Sequence, residues 1–348
     1  MEVLPDVLVK KCFLGVPYTS HDNLKAVCRS WQVMMSSPHF YVDRKTSGTS
    51  EHLICFIQHN QTAVGDKLAV ITIYDHLNGT CKRLNTPIDD PHFLGISIRS
   101  QCVAVNKKLV LITRVVPSSM TMKSVYIYDF ESARWSRGAD MPTPRSFFAC
   151  SAASSDGLVY VAGGIDETYN PLAAAESYNV EEDRWEILPP MIQPHGKRCH
   201  GVFIEGKFMV LSQARFDRSG EIFNPRERTW TRWEGIWSFD GDGDVWSSCA
   251  ASYSSGDLYV FSGEHVIKYD PVNNLWTPVA SFPERIDFFT SATQWRDSIF
   301  VITCNFISGK IICYLFNPST TRLIEVNRNG GDSEGFVGVI LSATTVEI

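Results

Sequence analysis

The 348-residue sequence predicts a mainly β fold, a six-bladed β-propeller preceded by a small α-helical head. Three observations carry that expectation. A strand-like segment ending in an aromatic residue and then Asp or Asn recurs six times, with the aromatics at Tyr74, Tyr128, Tyr178, Phe223, Tyr269 and Phe316, 45 to 54 residues apart. Seven residues after the second to fifth of these stands a tryptophan: Trp135, Trp185, Trp230 and Trp276. The last strand-like stretch, Gly335 to Val346, is followed by no repeat of its own. Four-stranded sheets at such a period belong to propellers rather than to helical solenoids.

Each period reads as four strands, a to d from the axis outward. Strand a is rich in small residues, as in Phe148 to Ala153 and Ser247 to Ser252, which suits the crowded axis. Strand b is entered by a small or polar turn and left through glycine or serine, as in Gly157 to Gly164 and Gly256 to Gly263. Short runs rich in Val, Ile and Tyr, bounded by Gly, Asn, Asp and Pro, read as strands. Strand c ends in the repeat aromatic and strand d carries the tryptophan, so their rings fill the wedge that widens between blades. Gly163 and Gly164 allow a sharp turn from b to c. They do not read as a phosphate loop, because no helix or Gly-Lys-Ser/Thr follows.

The first repeat begins at Leu53 without a strand a, and the C-terminal strand, 336–346, supplies it. Joining both ends in one blade removes exposed sheet edges. The expected division is a head at 1–45, a linker at 46–52 and a propeller at 53–348.

Composition narrows the function classes. The net charge of −6 argues against a nucleic-acid backbone as main partner. The head is slightly basic, with six basic against four acidic residues up to Lys45, and precedes an acidic body. No apolar run approaches the roughly 20 residues of a membrane span. Glu2 and Asp6 stand where a secretion signal would carry positive charge, so a cytoplasmic or nuclear location is expected. The ten cysteines form no CxxC pair and read as buried thiols in a reducing compartment.

Residues 4 to 43 read as helical. Leu24, Val27, Cys28, Trp31 and Met34 or Met35 form one amphipathic stripe with Ser20 as its N-cap, after a shorter helix over Val7 to Phe13 that Pro17 ends. About 40 residues in two or three helices bury little core alone, so the head is expected to pack on a partner or on its own propeller.

These residues also carry a resemblance. Leu4-Pro5-Asp6, the Val16-Pro17 step and Leu24 to Gln32, followed by Ser36 to Arg44, resemble an F-box. With Met141 to Ala152 and Val159 to Asn179, which look like kelch repeats, the chain is similar over nearly its whole length to the plant F-box/kelch-repeat proteins. Two departures stand out: strand b of the fourth blade ends Leu211-Ser212 without a double glycine, and Leu323 occupies the tryptophan position of the sixth.

The resemblance implies a substrate receptor of an SCF-type, cullin-based RING ubiquitin ligase. The F-box would dock a Skp-type adaptor through Leu4, Pro5, Leu8, Val16, Pro17, Leu24, Val27, Cys28 and Trp31, some of which would be internal F-box core. The propeller would capture a protein for ubiquitination and degradation. Relatives of this kind are associated with turnover of phenylpropanoid and flavonoid enzymes or of signalling regulators. The alternative is a non-catalytic kelch scaffold with no ligase role.

Strand parity places the b-to-c and d-to-a loops on one face of a propeller. On that face Arg145 and Arg285 are expected at the inner rim, with Arg198, Arg215, Tyr169 and Trp237 nearby, since arginines and aromatics dominate binding hot spots. Asp240, Asp242 and Asp244 begin like a calcium loop, but Val245 and Ala251 stand where Gly and Glu are needed. His195, Cys199 and His200 complete no ligand set or catalytic triad. A copper oxidase built on such a propeller needs several His and Tyr ligands at the axis, and the chain has nine His in all. No catalytic residue, metal site or cofactor is predicted.

Overall fold

The computed structural model describes residues 5–59, 69–85, 96, 100–113, 121–153, 156–196, 199–212, 220–233, 250–286, 288–304, 311–326 and 339–348. Its architecture is written in the hairpin between strands c and d. A four-residue turn joins them, so that residues seven apart face each other: Tyr128 with Trp135, Tyr178 with Trp185, Phe223 with Trp230 and Tyr269 with Trp276. The rings lie with centroids 4.9–5.2 Å apart. In the first and sixth blades the same register pairs Tyr74 with Cys81 and Phe316 with Leu323.

The Asp or Asn after each aromatic has an equally local cause. Its side-chain oxygen accepts a turn N–H two or three residues on, from Leu77 to Asp75, Ser132 to Asp129, Glu181 to Asn179, Arg226 to Asn224, Val272 to Asp270 and Thr320 to Asn317. Asp and Asn favour such turns for this reason. The tryptophan then reaches the preceding blade. Trp135 Nε1 donates to Asn85 O, Trp185 Nε1 to Ala139 O at 2.8 Å and Trp230 Nε1 to Pro189 O at 2.8 Å. One side chain thus closes its own hairpin and fastens it to its neighbour.

Six four-stranded antiparallel sheets result. In the first, strand a is Val339–Glu347, paired with b (His52–His59), which pairs with c (Ala69–Asp75) and then d (Thr80–Leu84). The remaining blades take their strands in sequence order from Gln101–Val105 to Arg322–Glu325. The innermost strands pack in a closed ring, the last of them, Phe288–Trp295, against Val339–Glu347, and that strand against Gln101–Val105. The core lies between blades: Val105, Val110, Phe148 and Val161 share one cluster, and Ile54, Phe300 and Ile302 share the one at the closure.

Small residues at the axis have the expected use. A Cβ on Gly201 would lie 2.8 Å from Cys150 N, so the inner strands of the third and fourth blades approach closer than any side chain allows. Gly164 has φ +86, and a Cβ there would stand 2.5 Å from Ser146 O. The thiols differ from the expected uniform burial: Cys55, Cys102, Cys199 and Cys313 are buried, whereas Cys12, Cys28 and Cys81 are exposed.

The head forms helices α1 (Asp6–Leu14), α2 (His21–Lys25), α3 (Arg29–Met35) and α4 (Pro38–Thr46), with a 3₁₀ turn at Tyr18–Ser20. The single stripe expected from Leu24 to Met35 is corrected. The helix stops at Lys25, Cys28 is extended (φ −159, ψ 161), and Ser20 makes no side-chain cap. Val and Cys are weak helix formers, and the break turns Val27 and Cys28 outward. Helix α1 ends at Gly15, before Pro17, and α4 is capped instead by Ser37, whose Oγ accepts from Phe40 N. No helix among the described residues is long and apolar enough to cross a membrane.

Candidate functional site

The head sits on the face that carries the a-to-b and c-to-d turns. Tyr18 OH and Tyr41 OH both donate to Phe130 O, in the c-to-d turn of the second blade. Lys25 Nζ donates to Glu131 O, and Lys82 of the first blade pairs with Asp22 at 2.6 Å. Phe13, Tyr18, Met35, Phe40 and Tyr41 form one continuous buried cluster with Leu53, Tyr126, Tyr128, Phe130, Val346 and Ile348 of the propeller. A shared core, rather than a tether, fixes the head on the ring.

Arg44 is the polar centre of that junction. Its side chain is 1% exposed and pairs with Glu51 Oε2 at 2.7 Å. It also donates to Val16 O at 2.7 Å and Thr49 O at 3.0 Å, so residues 46–52 are pinned along their course. Arg44 Nη1 lies 2.9 Å from His21 Nε2, and a guanidinium has no acceptor, so that nitrogen must accept. Burial, then the adjacent Arg44 charge, push the His21 pKa down to about 3. Burial likewise raises the Glu51 carboxyl, against the pull of Tyr18 N–H and Arg44.

Of the residues expected to meet an adaptor, Pro5, Leu8, Val27 and Cys28 are exposed. Leu8 is 46% and Val27 61% exposed, a high fraction for aliphatic side chains next to a packed core. Leu24 and Trp31 are half-buried and pack inward, Trp31 edge-on against Phe13 at 4.6 Å. Val16 and Pro17 are half-buried at the turn that Arg44 holds, and Leu4 lies outside the described residues. Sequence reasoning missed Val7, 68% exposed beside Leu8, and the exposed Val33 of α3. The α1 sequence contains that signal, because Val9 and Phe13, four residues apart, take the inward side of the helix and leave Val7 and Leu8 off it.

The opposite face differs from expectation at Arg145. This residue is fully buried: Nη2 pairs with Glu176 at 2.9 Å, and Nη1 donates to Ala174 O at 2.6 Å and Gly163 O at 3.1 Å. It braces the d-to-a loop against strand c and offers a partner no surface. His195 takes the equivalent place one blade on, fully buried with Nε2 3.1 Å from Glu221 Oε1. The sequence held the sign, for Met141-Pro-Thr-Pro-Arg145 and Met191-Ile-Gln-Pro-His195 match at a step of 50, and Glu176 and Glu221 each precede the repeat aromatic by two.

Arg285 and Tyr169 are exposed on this face. Tyr169 is 49% exposed with φ +66, a conformation held by Asp166, whose Oδ1 accepts from Thr168 N and Asn170 N at 2.8 and 2.9 Å. Those hydrogen bonds keep the Asp166 carboxyl below its ordinary pKa. Arg198, Arg215 and Trp237 lie outside the described residues, as do Asp240, Asp242 and Asp244. His200 is half-buried, and burial lowers its pKa to about 4. No cluster of His, Cys, Asp or Glu suited to a metal occurs among the described residues.

Fold and surfaces together define a six-bladed propeller with a rigidly seated helical head that keeps apolar side chains exposed. Comparison with known proteins gives that class a family. The Kelch motif matches residues 147–192, the third blade. The chain is 31% identical over 302 residues to F-box/kelch-repeat protein At1g15670 of Arabidopsis thaliana, covering 81% of this chain and 83% of the relative. It is 28% identical over 354 residues to F-box/kelch-repeat protein At1g80440 of the same plant, covering 94% and 96%. It is 30% identical over 297 residues to F-box/kelch-repeat protein At2g44130, covering 74% and 71%. The chain belongs to the F-box/kelch-repeat family.

Two outcomes check this geometry. Arg145→Ala leaves Glu176 buried and uncompensated, so urea unfolding should show a loss of about 3–5 kcal/mol, whereas exposed Arg285→Ala should stay within about 0.5 kcal/mol of wild type. His21 is neutral when folded down to about pH 3 but titrates near 6.5 when unfolded. The unfolded chain therefore binds the extra proton in that window, and stability should fall as pH drops from 6.5 towards 3. Acid unfolding followed by fluorescence should be less steep in His21→Gln, the remainder including His200, whose shift has the same sign.

Proposed function

We propose that the chain is the substrate-recognition subunit of an SCF-type, cullin-based RING ubiquitin ligase. The observation that carries this reading is the placement of the head, which spends one side of its helices on the propeller and keeps Pro5, Val7, Leu8, Val27 and Cys28 exposed. Exposed aliphatic side chains on a folded helical unit mark a protein interface. In this reading residues 1–45 dock a Skp-type adaptor and, through it, the cullin and RING subunits. Residues 46–52 connect rigidly, and residues 53–348 capture the target.

The described b-to-c and d-to-a loops lie on the face opposite the head, so a target held there and an adaptor on the head do not compete. Tyr169 and Arg285, exposed on that face, are the described residues suited to target contact. Arg198, Arg215 and Trp237 belong to loops of the same parity. The target would be a protein, of the phenylpropanoid or flavonoid enzyme type or a signalling regulator, met in the cytoplasm or nucleus. The receptor itself would be non-catalytic, chemistry being left to the ligase machinery, and would need no cofactor, metal, nucleic acid or membrane.

Co-purification of the full chain with a Skp-type adaptor tests the reading. Wild type should form a stable one-to-one complex, and Leu8→Asp/Val27→Asp, which places charge on exposed positions only, should lose it while keeping the wild-type unfolding midpoint. A complex that survives this double substitution, or no complex with wild type, would overturn the proposal.

A further inference from the structure

The closed ring encloses a cavity of about 810 Å³ along its axis, opening towards the head. Its walls come from the small residues of the innermost strands, Ala104, Ala152, Ala251 and Ala292, with Phe203 and Tyr253 near the a-to-b turns. Helix α4 overhangs it and contributes Tyr41 and Lys45. The volume falls within the roughly 300–1,000 Å³ of small-molecule pockets, and Ser151, Ser252, Thr293 and Thr344 set polar groups among the alanines.

The charge of that lining is opposite to the charge of the protein. Three cationic side chains, Lys45, Lys107 and Arg296, border the cavity against the carboxylate of Glu347, in a chain of net charge −6. Lys45 Nζ meets Glu347 at 3.0 Å, and Lys107 is paired with Glu131 at 2.6 Å. Arg296 is different. It occupies an a-to-b turn with φ +52, lies over the Trp295 ring at 5.4 Å, is exposed, and makes no ion pair among the described residues. His52 adds a hydrogen-bonding group whose pKa burial keeps low. Cations gathered at a concave mouth focus a field that draws anions.

We propose that this axial cavity binds a small organic carboxylate with a flat apolar body, its ring against Phe203 and Tyr253 and its carboxylate shared by Arg296 and Lys45. The planar guanidinium fork matches a carboxylate in bidentate geometry. The four alanines offer an apolar body contacts that a bare phosphate would leave unused, and the serines and threonines between them tolerate its edge. Because Lys45 belongs to α4 and Arg296 to the sixth blade, the ligand would bridge head and propeller and stiffen the seat of the head. This is independent of what the propeller captures on its other face, so the inference stands or falls apart from the ligase reading.

Isothermal titration of the full chain with 1-naphthoate, its neutral analogue 1-naphthamide and inorganic phosphate tests it. The expected result is saturable one-to-one binding of naphthoate, binding of the amide at least about tenfold weaker, and no displacement of naphthoate by equimolar phosphate. Arg296→Gln should weaken naphthoate about tenfold, and Lys45→Gln similarly, while Lys207→Gln, an exposed lysine outside the cavity, should leave it unchanged. Naphthoate should also slow hydrogen exchange in α4. If Lys45→Gln loosens the head, the Arg296→Gln result alone decides. No saturable naphthoate binding, equal binding of the amide, displacement by phosphate, or an unaltered Arg296→Gln affinity would overturn the proposal.

Discussion

The pairing of the C-terminal strand Val339–Glu347 with His52–His59 is the constraint on which the rest of the molecule depends. It completes a four-stranded blade from three strands early in the chain and one strand late in it. The strand's hydroxyls then bind both adjoining blades: Cys102 N donates to Ser342 Oγ at 3.2 Å, Ala104 N to Thr344 Oγ1 at 3.0 Å, and the Thr293 and Thr345 hydroxyls meet at 3.0 Å. Its far end holds the head. Glu51 and Ile348 exchange two backbone hydrogen bonds, and Glu347 accepts from both Lys45 and Ser50. Closing the ring and seating the head are therefore coupled, and an open ring would leave a sheet edge bare while withdrawing Val346, Glu347 and Ile348 from the head.

That coupling gives the architecture its mechanical sense. A receptor that hands a captured protein to a ligase works by geometry, since it must hold two partners at a fixed distance and angle. Here the head and the first two blades share one buried cluster, and Arg44 ties α4, the turn at Val16 and the segment at Thr49 and Glu51 into one polar knot. A buried ion pair adds little net stability, but breaking one is costly, so it fixes register more than it strengthens. The short linker segment after α4 is held along its course by Arg44, through Thr49 O and Glu51.

The repeat was legible because its signals are local. The aromatic, the Asp or Asn and the tryptophan at seven residues are three readings of one hairpin, and the double glycine at 163–164 answers a backbone that approaches to within a Cβ's reach of Ser146 and His195. Missing strand a in the first repeat pointed to closure by the same pairing logic. What stayed hidden depends on contacts distant in sequence. Arg145 read as a face residue because its partner Glu176 stands 31 residues away, and its repeat position shows the pairing only when compared with His195 and Glu221 one blade on. The break at Cys28 was invisible to periodicity because Leu24 and Trp31 do face inward, and only the exposed Val27 and Cys28 between them disobey. The docking side of the head was hidden too, since Tyr18, Tyr41 and Arg44 find their partners only once the ring exists.

Hydrogen exchange on the full chain, alone and with a Skp-type adaptor, tests the two-faced arrangement most directly. The account predicts slowed exchange confined to the head between Pro5 and Trp31, with the loop at 163–174 and the turn at 282–286 unchanged and available for a target. Protection of those two segments by the adaptor, or none in the head, would contradict it.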